Sequence, residues 1–255
     1  MPAKTIGLIA AMPDEVRPLL RRVGPVEKHR EGHFTRYRFV LHDVGVTLIE
    51  SGMGPLRAAQ AAEALAETSP AAIVSFGFGG AVLPGLEAGD LVVGTGCWRA
   101  VDGGLRPQGG VDRSLAAEVL DGIGASLNRV TPGEIITSEK ILTKRSFAPL
   151  LPPDLHAPVL DMETAAVAET TARYGIPLVA LRAVSDGARE ELSFTLDEFT
   201  DHDMNIRLTK VLATILRKPR IVPQLIRLAR NTRLAGAALA TAVLATTNIL
   251  VTRPE

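Results

Sequence analysis

Cysteine is nearly absent from this sequence: Cys97 stands alone among 255 residues, which excludes an internal disulfide and with it a small stapled secreted fold. Cys97 lies in "LVVGTGCWRA", beside Trp98 at the end of an apolar run, and reads as an inert buried thiol. Charge of one sign is lacking too. Lys plus Arg and Asp plus Glu balance at 28 each, so no global field recruits nucleic acid, and the expected partner is a small molecule. The opening "MPAKTIGLIAAMPDE" meets acids before a long apolar segment develops, giving the expectation of a cytoplasmic protein. His29, His33, His42, His156 and His202 have no metal-ligand spacing; neither a metal nor a cofactor is expected.

What is present is alternation. The short apolar runs "KTIGLIAAM", "VGVTLIESG", "AAIVSFGFGG", "GDLVVGTG", "GEIITSE" and "IPLVALRAVSD" read as six strands covered on both faces. Between or after them, "DEVRPLLRRV", "GPLRAAQAAEALAET", "DRSLAAEVLDGIGAS" and "METAAVAETTARYG" repeat apolar residues at helical spacing. The pattern predicts an α/β sandwich about a mostly parallel or mixed sheet, in one domain over residues 1–217 with a helical extension over 218–255. Gly77 and Gly79 have the opening spacing of a dinucleotide fingerprint. Val82 replaces its third glycine and Pro84 interrupts the helix that should follow, which argues against a Rossmann site. Gly77, Gly79 and Gly80 suit a tight strand-to-loop transition that also lets a ligand approach the backbone.

The acids carry the chemistry. Asp161 and Glu163 flank Met162 before a helical run, with Asp161 the natural cap and Glu163 able to reach across the sheet toward a ligand. Asp186 follows the strand "PLVALRAV", and ligands of open α/β sheets bind beyond the carboxyl ends of strands.

The ordered series "IGLIAAMPDEV", "SGMGPLRAAQAAEAL", "SFGFGGAVLPGLEAGDLVVG", "LDMETAAVA", "LRAVSDGA" and "LSFTLDEF", from Ile6 to Ile215, resembles the nucleoside phosphorylase and nucleosidase superfamily, and within it the methylthioadenosine/S-adenosylhomocysteine nucleosidases. The resemblance implies a three-layer sandwich with a central mixed β-sheet, a homodimer, and cleavage of the N-glycosidic bond of a 5′-substituted purine nucleoside. It implies that Asp186 protonates the departing purine at nitrogen-7, with Ser185 hydrogen-bonded beside it, and that Glu15 activates the attacking water. Glu163 would bind the ribose hydroxyls and stabilise the cationic sugar, with Met162 packed on it. Phosphate in place of water would meet two acids in "AMPDEV" and Phe78 where relatives that handle phosphate carry a hydroxyl. Arg17 and Arg182 are the cations within reach of such an anion, and each is assigned to an ion pair instead.

Two features depart from the nucleosidases. Where they stack an aromatic ring on the base, this chain has Ile141 followed by Leu142, which leaves apolar contact without stacking. Near the C-terminus, Arg227, Arg230 and Arg233 precede an apolar stretch from Leu234 to Val251 that contains three Thr and one Asn. That tail reads first as a pair of helices packed on the domain or on a second subunit, and second as a basic helix making peripheral membrane contact. It also resembles the tail of hopanoid-associated nucleoside phosphorylases, which keeps open phosphorolysis of an adenosyl lipid. A catalytically silent nucleoside-binding protein is the third alternative.

Overall fold

The structure, a computed structural model, describes residues 4–101, 104–124, 127, 129–140, 143–188, 190 and 221–253. The expected strands are present as β1 (Thr5–Ala10), β4 (Val44–Glu50), β5 (Ala72–Ala81), β6 (Leu91–Val101), β8 (Val130–Thr137) and β10 (Leu178–Asp186). Four more were not expected from the apolar runs: β2 (Glu27–Glu31), β3 (Phe34–Leu41), β7 (Gly104–Gln108) and β9 (Val159–Asp161). Each lacks the buried run that betrays an inner strand. All residues of β2 are exposed, β3 buries only Phe34, Tyr37 and Phe39, β7 contains Gly and Pro, and β9 is three residues long.

The strands form one mixed sheet in the order β10-β6-β8-β9-β5-β1-β4-β3-β2, with β7 paired to β6. Because β10 also pairs in parallel with β5, the part from β5 through β9, β8, β6 and β10 closes on itself. Alternation along the strands feeds two layers. Ile6, Leu8, Val74 and Phe76 face a cluster shared with α1 (Pro13–Leu20) and α3 (Arg113–Ile123), whereas Ile9 and Ile73 face Ala58, Ala61, Ala62 and Leu65 of α2 (Pro55–Ala66) and Val167 of α5 (Thr164–Arg173). Each fully buried aliphatic side chain contributes about 1.5–3 kcal/mol, so this two-sided burial is what holds the three layers together.

A single turn, α4 (Lys144–Phe147), is anchored by Phe147 in a cluster with Val82, Ile136 and Leu155. The C-terminal apolar stretch forms one continuous helix, α6 (Val222–Thr252), rather than the expected pair. It is long and apolar enough to cross a membrane, but half of its most apolar window is buried against the protein. Ala235, Leu239, Ala240, Ala242, Val243 and Leu250 enter the same cluster as α1 and α3. Gly236 marks the closest approach: a Cβ there would lie 3.1 Å from Pro18 and 3.3 Å from the Asp14 carbonyl of α1, and 3.9 Å from the Phe78 ring. The extension therefore braces the helix that carries Glu15.

Candidate active site

The site lies where β1, β5 and β10 end, in a narrow cavity whose wall includes Glu15, Ser51, Ser75, Gly77, Glu163 and Arg182. Glu15 stands in the first turn of α1 and is 3% exposed. Its carboxylate accepts three backbone N–H groups: Ala11 at 2.9 Å and Met12 at 2.8 Å on Oε2, and Phe78 at 2.8 Å on Oε1. Burial raises its proton affinity above the usual carboxylate range, against the lowering effect of those amides and of Arg182. Gly77 makes the approach possible, since a Cβ there would stand 2.7 Å from Glu15 Oε1.

Glu163 occupies the cap position of α5 and accepts from Gly54 N–H at 2.9 Å and Met162 N–H at 3.3 Å. Loss of hydration, with the negative charges of Asp161 and Glu15 adding to it, pushes its carboxyl up to about 7. Met162 is half-buried beside it.

Asp161 departs from its expected place at a helix start. It ends β9, and α5 begins at Thr164. Its Oδ2 still accepts the Thr164 N–H at 3.0 Å, as a cap would, but its main partner is Arg182, at 2.9 Å from Nε and 2.8 Å from Nη2. Thr137 donates to its other oxygen at 2.6 Å. Arg182 also donates to the Ser75 carbonyl and hydroxyl, the Leu181 carbonyl and the Thr164 hydroxyl, so every face of the guanidinium is used. Such a saturated pair ties β10 to β5 and β9 and has no donor left for a ligand. Arg17 pairs with Asp14 on the surface.

Asp186 ends β10, just past a β-bulge between Val184 and Asp186 that sets it opposite Gly80. Ser185 Oγ donates to Asp186 Oδ1 at 2.6 Å. The other oxygen, Oδ2, is ion-paired to the ammonium of Lys144. Sequence reading passed over Lys144, because a Lys in "LTKRSF" carries no motif; only the fold brings α4 to the end of β10. Gly77 and Gly80 of β5 each leave room for one of these groups: a Cβ on Gly77 would meet the Glu15 carboxylate and one on Gly80 would meet Asp186 and Lys144. Phe78 contributes its backbone N–H to Glu15 and Gly79 its carbonyl to Ser185. Ile141 and Leu142 lie outside the described residues. Cys97 is buried within β6 rather than at its end, and burial pushes its thiol up to about 12, which leaves it neutral and unreactive.

Comparison with known proteins identifies the family and the fold. The chain is 30% identical over 215 residues to the 5′-methylthioadenosine/S-adenosylhomocysteine nucleosidase of Listeria welshimeri, covering 76% of this chain and 91% of the relative. The corresponding nucleosidase of Colwellia psychrerythraea, solved in complex with adenine, superposes with a TM-score of 0.71 at 19% identity, covering 97% of this chain and 96% of that one. Futalosine hydrolase of Helicobacter pylori superposes with a TM-score of 0.70 at 15% identity, covering 96% of this chain and 98% of its own. A profile described as the phosphorylase superfamily matches residues 5–217, and the chain belongs to that superfamily.

Proposed function

We propose that this protein is an N-glycosidase that hydrolyses a 5′-substituted purine nucleoside, releasing the base and a free 5-substituted ribose. The similarity to methylthioadenosine/S-adenosylhomocysteine nucleosidases supports the reaction class. One observation carries the choice of water over phosphate. The amides of Ala11, Met12 and Phe78, which could cradle an anion, are already taken by the carboxylate of Glu15. A phosphate entering there would meet a fixed negative charge instead of free donors, and Arg182 is committed to Asp161.

In this reading the C1′–N9 bond breaks with its electron pair moving into the purine, and protonated Asp186 gives its proton to N7. The positive charge developing on the ribose is stabilised by anionic Glu163, which also accepts hydroxyl protons of the sugar in hydrogen bonds. Glu15 takes a proton from water as its oxygen bonds to C1′. Burial favours this role, since a carboxylate whose proton affinity is raised by loss of hydration is a better base than an exposed one. Base release from methylthioadenosine, S-adenosylhomocysteine, inosine and adenosine, with and without phosphate, tests the proposal. Release that is independent of phosphate is expected; release that requires phosphate would move the protein to the phosphorylases.

A second reading concerns the substituent. On α6, Ile226 is 67% and Leu234 47% exposed, and both lie among the exposed Arg227, Arg230 and Arg233. Apolar anchors ringed by cations suit an anionic lipid surface, where a lipid-bearing nucleoside would be met. Sedimentation with anionic vesicles at low salt, lost in Arg230→Glu/Arg233→Glu, is the expected behaviour; no binding by the intact protein would return the face to ordinary surface.

A further inference from the structure

The catalytic reading above requires a protonated Asp186, yet this residue is held in an ion pair with Lys144. Lys144 and Asp186 have side chains 9% and 21% exposed. The Lys144 ammonium also donates to the carbonyls of Asp186 and Gly187, each at 3.0 Å, so all three of its protons are used at the end of β10. Asp186 is equally occupied, by Ser185 on Oδ1 and Lys144 on Oδ2. The neighbouring strand is shaped around the pair. A Cβ on Gly80 would lie 3.0 Å from Asp186 Oδ2, 3.0 Å from Lys144 Cε and 3.2 Å from Nζ. Phe147, one turn along α4, fixes the turn that presents the lysine.

The charged groups on other elements packed against β10 are engaged elsewhere or exposed. Arg99 of β6 pairs with Glu169 of α5, and Arg173 of α5 with Glu63. On α3, Glu118 pairs with Arg253, Arg113 donates to the Thr95 carbonyl and Asp121 is exposed. On α6, Arg227 pairs with Glu190, while Arg230 and Arg233 are exposed. Strand β5 carries no ionisable side chain.

Resting on the nucleosidase reading, we propose that Lys144 is a positioning residue that holds the Asp186 side chain through their ion pair and yields it to the purine, whose entry brings one proton from solvent onto Asp186. The ammonium keeps its charge throughout. When the C1′–N9 bond breaks, the acid passes its proton to N7; departure of the base returns the carboxylate to Lys144. The consequence is that base binding is linked to proton uptake.

Adenine and hypoxanthine are the probes, since each presents N7 without a sugar. Calorimetry of adenine binding at pH 8, in two buffers of different ionisation enthalpy, is expected to show uptake approaching one proton per base in the unaltered protein. In Lys144→Met the uptake at pH 8 stays near one and adenine binds about tenfold or more tightly, because no cation competes with the incoming proton for the Asp186 carboxylate; Lys144→Arg keeps the original affinity. Binding by the unaltered protein without proton uptake, or a Lys144→Met protein with unchanged adenine affinity, contradicts the inference and leaves the nucleosidase reading standing. Failure of both bases to bind contradicts that reading and this inference with it.

Discussion

Two ion pairs meet the ends of β9 and β10, and they are built for different purposes. Asp161 and Arg182 are 1% and 2% exposed and both sit on sheet strands, with Thr137, Thr164 and Ser75 filling their remaining hydrogen-bonding positions. Asp186 and Lys144 are more accessible, and the lysine comes from a one-turn helix rather than from the sheet. The first pair repays its desolvation by fixing three elements in register, at the expense of any donor for a ligand. The second uses all three donors of Lys144 at the end of β10, and its partner is the group that the proposed reaction requires to exchange protons. Position in the fold, rather than residue type, separates a framework pair from an exchangeable one.

The largest difference between them is expected in stability. Asp161→Asn leaves Arg182 buried without its counter-charge and should destabilise the fold by about 3–5 kcal/mol, read from denaturant unfolding. Asp186→Asn leaves Lys144 its two carbonyl acceptors in a more accessible place and should lower kcat by on the order of a hundredfold with a smaller loss of stability than Asp161→Asn. If instead Asp186→Asn unfolds the protein and Asp161→Asn does not, the assignment of the two pairs is inverted.

Glu163 sharpens the contrast, because it has no cation of its own. Its carboxyl stands at about 7 in the folded chain against an ordinary 4.5, so the folded state binds this proton more tightly than the unfolded state. Its ionisation is cost-free to folding below the lower value, costs increasingly more as pH rises between the two, and costs fully above about 7. Glu163→Gln should therefore stabilise the protein at pH 8 by on the order of 2 kcal/mol, allowing for its partial contact with solvent, and have little effect at pH 4. The same variant should lose activity, since neutral Gln supplies no charge to the developing sugar cation. Equal stabilisation at both pH values would show that Glu163 is not held against its charge. The smallest effect belongs to the exposed Arg17–Asp14 pair: Arg17→Ala should change stability by less than about 1 kcal/mol and leave the phosphate-independent rate unaltered.

Legibility followed burial. The inner strands and main helices could be read because both faces of the sheet are covered, which turns strands into apolar runs and helices into periodic ones. The hairpin of β2 and β3 left no such trace, since it projects from the core, and β9 is too short to show a pattern. Glu15, Glu163 and Asp186 were proposed from their order along the chain, and Glu15 and Glu163 line one cavity. The pairing of Arg182 with Asp161 follows from parallel and antiparallel contacts made by β5, which no local spacing encodes. Lys144 was invisible for a related reason: it reaches Asp186 across 42 residues of chain, from a segment with no motif of its own. The apolar tail was ambiguous between bilayer and protein because both select the same residues, and only Gly236 against α1 distinguishes the helix that packs.

The central claim is that Glu15 occupies the place of an anion, so that water attacks the sugar. Identification of the sugar product by mass spectrometry, with a cleaved nucleoside in saturating phosphate, tests it most directly. The account predicts free 5-substituted ribose at a rate that phosphate does not raise. A ribose 1-phosphate as the main product would contradict it, and would require the amides now held by Glu15 to turn toward phosphate.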